Sequence, residues 1–259
     1  MRAMSPHRPP RHPHLWLPWL LVSQMGVAFA WWQWGWALGL PLLLVSHAVC
    51  LWGVLAPASR LYGPVLTRLP GDGVWLTIDD GPSDDTPAVL DLLDAHAAKA
   101  TFFLVGERAA ARPDLVRAIV ARGHGIGNHS QTHPQATFWA LGPARMRREI
   151  RACQDTLAGI TGCAPVWFRS VVGHTNPFVH APLRTAGLAR VGWSARGFDA
   201  VKTQIDDVIA RIDADLAPGA IVLLHEGAAH GSSVPMIEGV LARMRAKGLR
   251  SVLPDRTAG

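Results

Sequence analysis

Two acidic residues in succession, Asp79 and Asp80, end an apolar run and meet Gly81-Pro82. Adjacent side chains on extended backbone point to opposite sides, so the two carboxylates can take different tasks. An isolated Asp-Asp-Gly-Pro reads equally well as a turn with a capping acid. Thr77 and the apolar run before it tip the balance toward a site. In His129-Ser130-Gln131-Thr132-His133 two imidazoles stand four apart, which on one helical turn places both on one face. Two neutral imidazoles and one carboxylate make a metal site that keeps positions open for water and substrate. In a chain with 12 His the spacing alone arises by chance. Beside an acidic pair it points to a divalent metal, zinc foremost, with cobalt, nickel and iron chemically suited as well. In Ile221-Val222-Leu223-Leu224-His225 an apolar run delivers another histidine. Alone it reads as a buried, hydrogen-bonded residue; next to a metal site it is the natural group to protonate a leaving amine.

Those residues meet only if the elements that carry them end on one rim. Short β-rich runs alternate with helical patterns after residue 73, the signature of β/α units around a largely parallel sheet or barrel. The sequence predicts strands near Val74–Ile78, Thr101–Val105, Gly125–Asn128, Val166–Arg169, Arg190–Trp193, Ala220–Leu224 and Arg250–Leu253. Helices are predicted over Thr86–His96, Pro113–Arg122, Pro143–Ile160, Phe178–Ala186, Gln204–Leu216 and Val234–Lys247. Pro87, Pro113 and Pro143 suit first-turn positions, and Gly123, Gly187 and Gly248 suit stops. On this framework Asp79-Asp80, His129 with His133, Arg169, Asp199 and His225 all follow C-terminal strand ends, where parallel β/α folds build their sites.

The 259-residue chain carries a formal charge of +6, but unevenly. No acidic residue precedes Asp72, whereas Arg2, Arg8, Arg11, Arg60 and Arg68 do. Beyond that point basic and acidic residues nearly balance, which argues against nucleic acid as a partner. From Leu15 to Ser59 no side chain is charged, and seven of the 11 Trp fall there. The stretch is twice what one crossing of a ~30 Å hydrocarbon layer requires and far longer than the roughly 7–15-residue apolar region of a cleaved signal. A basic tail (1–14), a membrane anchor (15–57) formed as a helical hairpin turning at Trp31–Trp36, a Gly/Pro-rich linker (58–73) and a catalytic domain (74–259) follow. Pro18 makes the first span the weaker one, with a single crossing near Ala37–Leu55 as the alternative. A hairpin in the cell inner membrane, with its arginines held inside, returns the domain to the cytoplasm; a single span exports it. Cys50, Cys153 and Cys163 are too few for a disulfide framework and read as buried thiols.

From about Val74 to His225 the chain resembles the polysaccharide deacetylase family, the NodB-homology or carbohydrate esterase family 4 domain. The resemblance rests on Asp79-Asp80-Gly81-Pro82, on His129-Ser130 through His133, and on Leu223-Leu224-His225. It implies a distorted (β/α) barrel and hydrolysis of N-acetyl groups on amino sugars. It also implies Asp79 as base, Asp80, His129 and His133 as metal ligands, His225 as acid, Arg169 orienting Asp79, and Asp199 paired with His225 or Arg169. Two motifs depart. Val171 stands where the family's Arg-x-Pro loop has proline, and Arg196-Gly197-Phe198-Asp199-Ala200 keeps only the second Asp of Asp-x-x-Asp-Trp. Loss of the groove-lining Trp at Ala200 weakens the case for a long polysaccharide and, with the anchor, favours an acylated amino sugar in a glycolipid or lipid-linked form. A sugar-binding protein without turnover and a metal-dependent esterase or amidase on a non-sugar lipid are the alternatives. His174 and Asn176 read as solvated or capping residues, and Trp139 and Trp193 as packing residues.

Overall fold

Alternation of large apolar side chains with a period of two builds the sheet and aims the site residues. In the computed structural model, which describes residues 9–254, β1 (Trp75–Gly81) sends Leu76 and Ile78 outward into a layer of helices. Trp75 packs on the other face with Phe103, Trp167 and Ile221, and Thr77 and Asp79 share that face by alternation. The same alternation runs through β2 (Ala100–Leu104) and β7 (Ile221–His225), which flank β1. The remaining strands are β3 (Gly125–Asn128), β4 (Trp167–Phe168), β5 (Ala189–Arg190) and β6 (Ala195–Arg196). All pairings are parallel, in the order β5-β4-β3-β2-β1-β7-β6, so β5 and β6 are the free edges of a curled, incomplete barrel.

The helices are α3 (Thr86–Ala95), α4 (Gly106–Ala111), α5 (Pro113–Ala121), α6 (Pro143–Thr161), α7 (His180–Ala186), α8 (Ile205–Asp215) and α9 (Ser233–Ala246). Five differences from the sequence reading stand out. Helix α4 was not foreseen. Neither was β6, a two-residue strand that owes its existence to pairing with β7. The expected strand at Arg190–Trp193 shrinks to Ala189–Arg190, so Asp199 follows β6 instead. The expected strand at Arg250–Leu253 contributes a single bridge, Val74 to Ser251. Residues 129–133 form a turn and not a helix.

The 58–73 segment lies in the open seam of the barrel. Leu66 bridges Val191 beside β5, and Arg68 bridges Ala220 at the foot of β7. Leu66 N donates to Arg190 O (3.0 Å), and Gly192 N returns a bond to Leu66 O (2.8 Å). Val65 and Leu66 are buried there.

Upstream, α1 (Trp16–Trp34) and α2 (Trp36–Leu55) pack against each other. Gln24 hydrogen-bonds Ser46, and the ring of Trp31 lies over Gly39, which fixes an antiparallel register. The turn is Gly35 alone (φ 70°), a left-handed position suited to glycine. Trp31, Trp32 and Trp34 belong to the last turn of α1, so the reversal is tighter than a Trp31–Trp36 turn. Among the described residues one helix, Trp36–Leu55, is long and apolar enough to cross a membrane. Arg2 and Arg8 of the basic tail lie outside the described residues.

The hairpin is docked on the domain. Thr175 N donates to Val54 O (2.9 Å), Tyr62 Oη donates to Cys50 O (3.1 Å), and the Trp16 ring meets Phe178 edge-on. Two of these contacts come from the loop between β4 and α7, which also shapes the site.

Candidate active site

β1 and β7 place the first two groups side by side. Their register pairs Asp79 with His225, both facing inward. Asp79 is 3% exposed, and its Oδ1 accepts a bond from Arg169 Nη1 at 2.8 Å. Arg169 is wholly buried and also donates from Nη1 to Thr77 Oγ1 (2.6 Å) and from Nη2 to Gly192 O (2.8 Å), with its guanidinium 4.3 Å from the Phe103 ring centre. A planar fork held this way fixes the carboxylate and leaves Asp79 Oδ2 free to face the cleft, 3.7 Å from His129 Nε2.

Asp80 diverges from Asp79 and adopts φ 72°, a left-handed conformation rare outside glycine and found where surrounding structure imposes it. Arg108 donates to its carbonyl. Its Oδ1 lies 3.4 Å from His129 Nε2 and 3.0 Å from His133 Nε2. The two imidazoles come together through a turn with Ser130 at φ 68° and His133 at φ 51°, their ring centres 5.0 Å apart. His129 Nδ1 donates to Arg169 O (2.9 Å), which fixes the tautomer and turns the Nε2 lone pair toward Asp80.

One ligand atom each from Asp80, His129 and His133 lies within 4.8 Å of the others, and Asp80 Oδ1, though buried, accepts no properly aligned hydrogen bond. Burial works to raise the Asp80 carboxyl, but the close approach and charge of the His129 and His133 imidazoles outweigh it and hold the group below the usual carboxylate range. Burial likewise works to lower the His129 imidazole, and Asp79 and Asp80 overcome it and push it up. Two carboxylates in one buried spot draw positive charge. A divalent cation satisfies that demand with the lone pairs already aimed, so the donor set fits a metal.

Across from this cluster, His225 Nδ1 donates to Asp199 Oδ1 (3.0 Å), and His225 N donates to Asp199 Oδ2 (2.6 Å). Of the two partners the sequence left open for Asp199, the structure thus supplies His225. Burial works to lower His225; the charge and hydrogen bond of Asp199, helped by Asp79 and Asp80, push it up to about 9. His230 bonds the Asp199 carbonyl (2.7 Å).

Two buried acids that hold the site were not singled out from the sequence. Glu149 on α6 accepts from Gln131 N (3.1 Å), Thr132 N (2.9 Å) and Thr132 Oγ1 (2.8 Å), pinning the turn between the two histidines. Glu226, next to His225, accepts from Ser83 Oγ (2.8 Å) and Thr86 Oγ1 (2.5 Å), and a Cβ at Gly81 would strike its Oε1. Burial pushes its carboxyl up against those two hydroxyls. Outer partners of this kind are worth ~10–100-fold in metal affinity. Glu149→Ala is therefore expected to weaken metal binding by about that factor in a chelator competition, with Glu149→Gln recovering part of it.

The departures also find their places. Arg196 stacks on Phe198 (4.2 Å to the ring centre) and Trp193 (5.1 Å), at the rim where the family carries an acid and a tryptophan. Ala200 is exposed, and Val171 is buried. Asn176 is a capping residue: its Nδ2 donates to Phe138 O (3.1 Å) and Leu141 O (3.2 Å). Trp193 packs over Gly173 and Arg169, whereas Trp139 is 45% exposed, so the packing role expected of it does not hold.

Comparison with known proteins agrees with this geometry. The family model described as polysaccharide deacetylase matches residues 67–191. A chitooligosaccharide deacetylase of Bradyrhizobium is 38% identical over 176 residues, covering 67% of this chain and 78% of that protein. A peptidoglycan-N-acetylglucosamine deacetylase of Bacillus cereus is 32% identical over 182 residues, covering 69% and 66%. The solved family 4 carbohydrate esterase from Streptomyces lividans, in complex with acetate, superposes with a TM-score of 0.66 at 34% identity, covering 73% of this chain and 95% of that one. Sequence, barrel and rim thus converge, and this chain belongs to the polysaccharide deacetylase family.

Proposed function

We propose that this hydrolase of amide C–N bonds is a metal-dependent deacetylase that removes an acetyl group from an amino sugar carried on a lipid, working at a membrane to which its own N-terminal hairpin binds it. The observation that carries the chemistry is the convergence of Asp80, His129 and His133 with Asp79 on one side and His225 on the other. A divalent metal, zinc foremost, would be held by those three residues and would supply Lewis acidity, making water a better nucleophile and polarising the acetyl carbonyl. Asp79 Oδ2 takes the proton of the attacking water, because Oδ1 is engaged by Arg169. His225 carries a proton on Nε2, its Nδ1 being committed to Asp199, and passes it to the departing amine. The products are acetate and the free amino sugar.

The lipid half of the proposal draws on the anchor. Outside the groove described below, α1 and α2 expose Leu21, Met25, Trp32, Leu44 and Trp52, large apolar side chains that suit a membrane-facing surface. The rim at Arg196 and Ala200 lacks the aromatic platform of the family motif, which suits a short headgroup more than a polymer.

The test is a panel of N-acetylated substrates given to the full-length protein. Acetate release from an N-acetylglucosaminyl lipid, faster than from a chitooligosaccharide, is expected; the reverse order would remove the lipid preference. A C-terminal topology reporter is expected to read cytoplasmic for a hairpin that crosses twice.

A further inference from the structure

Between the hairpin and the start of the domain runs a cavity of about 830 Å³, within the ~300–1,000 Å³ range of ligand pockets. Its long walls are apolar, from Trp19, Gly26 and Val27 on α1 and Leu42, Val45 and Val49 on α2. Its end nearest the domain is different. There the walls are His12, Arg60 and Pro177, no carboxylate lines any part of it, and Arg184 anchors the neighbouring Pro10 carbonyl. From Leu15 to Gly26 the helix rises ~16 Å, about half of a ~30 Å hydrocarbon layer. The groove is thus apolar along the depth of one leaflet and cationic at its mouth.

One loop joins that mouth to the candidate site. Pro177 sits in the β4–α7 loop, whose first residue, Arg169, gives its carbonyl to His129 and its guanidinium to Asp79. Six residues further on, Thr175 is bonded to the end of α2. We propose that the groove is the binding site for the hydrocarbon chain of the lipid-linked substrate, with Arg60 meeting an anionic phosphate between chain and sugar. The inference rests on the lipid-linked reading above. It places the chain along α1 and α2 and the headgroup where the β4–α7 loop leads to Asp79, so the membrane segment selects substrate as well as holding the enzyme.

Gly26 lines the groove and offers a clean test, because a Cβ there meets nothing within 4 Å, so a larger side chain can start into the groove without a clash at its root. The probes are two esters of N-acetylglucosamine 1-phosphate, one with a long alkyl chain and one with methyl. In the full-length protein, Gly26→Phe is expected to raise KM for the long-chain ester roughly tenfold or more, since excluding even two buried methylene groups suffices. The methyl ester and kcat should be unaffected. Val22→Phe, on the same helix but outside the groove, should behave as wild type. Arg60→Gln should raise KM for the long-chain phosphate ester and not for an uncharged glycolipid of equal chain length. Equal KM for both esters in the wild type, or equal effects of the two Phe variants, would overturn the proposal.

A diazirine placed in the alkyl chain reads the groove apart from catalysis. Labelling of α1 and α2 that Gly26→Phe suppresses supports the site even if neither ester is hydrolysed, an outcome that would sink only the deacetylase reading. Displacement of the label by an equal amount of phosphatidylglycerol would assign the groove to bulk lipid and overturn the proposal.

Discussion

Asp79→Asn is expected to keep its metal and lose ~10²–10⁴-fold in kcat/KM, the range for removing a positioned general base. Asp80→Ala and His133→Ala are expected to lose the metal itself, with a rate loss of ~10³-fold or more that added metal only partly restores. The contrast tests the division of labour between the two adjacent carboxylates. Asp79 faces inward onto Arg169, and Asp80 turns the other way onto His129 and His133. Measuring metal content beside activity on an N-acetylated chitooligosaccharide separates the two. Full activity and full metal content in Asp80→Ala would remove that residue from the site. Loss of metal in Asp79→Asn would mean the carboxylates share the ligand role.

A second large effect is expected from Asp199→Asn, read as a pH profile. The protonated form of His225 is favoured in the fold up to about 9, so the acid function proposed for it is present below that pH and fades as pH rises through it. The same raised pKa contributes stability that is complete below the ordinary imidazole value of ~6.5 and is lost between there and about 9. A cation beside Asp80 would offset that carboxylate's contribution, which places the wild-type alkaline limb no higher than about 9 and leaves Asp199 as the main support, with Asp79 behind it. Removing the Asp199 charge should move the limb down toward ~6.5 and lower kcat at pH 8 by roughly 10–100-fold. An unchanged limb would show that His225 does not govern it.

Which parts of this site were readable in the sequence follows from the range of the forces involved. The direction of Asp79 and His225 is a matter of strand period, a local property, and it survives intact, whereas Asp80 leaves that period at φ 72°. His129 and His133 were readable as a pair but not in their backbone, because the turn that joins them depends on left-handed Ser130 and His133, and Glu149 imposes it from 17 residues away. Glu226 reaches Ser83 across 143 residues, beyond any local pattern. Strand β6 was missed for the same reason: Ala195 and Arg196 have no strand signal of their own and are ordered by β7. The apolar hairpin was legible by composition, whereas its one-residue turn at Gly35 was hidden among the tryptophans around it.

The segment in the barrel seam alters how the chain can be divided. Leu66 and Arg68 serve as a stave between β5 and β7, so the stretch joining hairpin to barrel is part of the vessel wall and not a tether. A soluble fragment cut at Val74 would leave that wall open beside Arg190 and Gly192, the residue whose carbonyl steadies Arg169. Any version made without the hairpin must keep the chain from about Ser59 onward. In the intact protein the segment that follows the hairpin thus bonds Gly192, the residue that also supports Arg169.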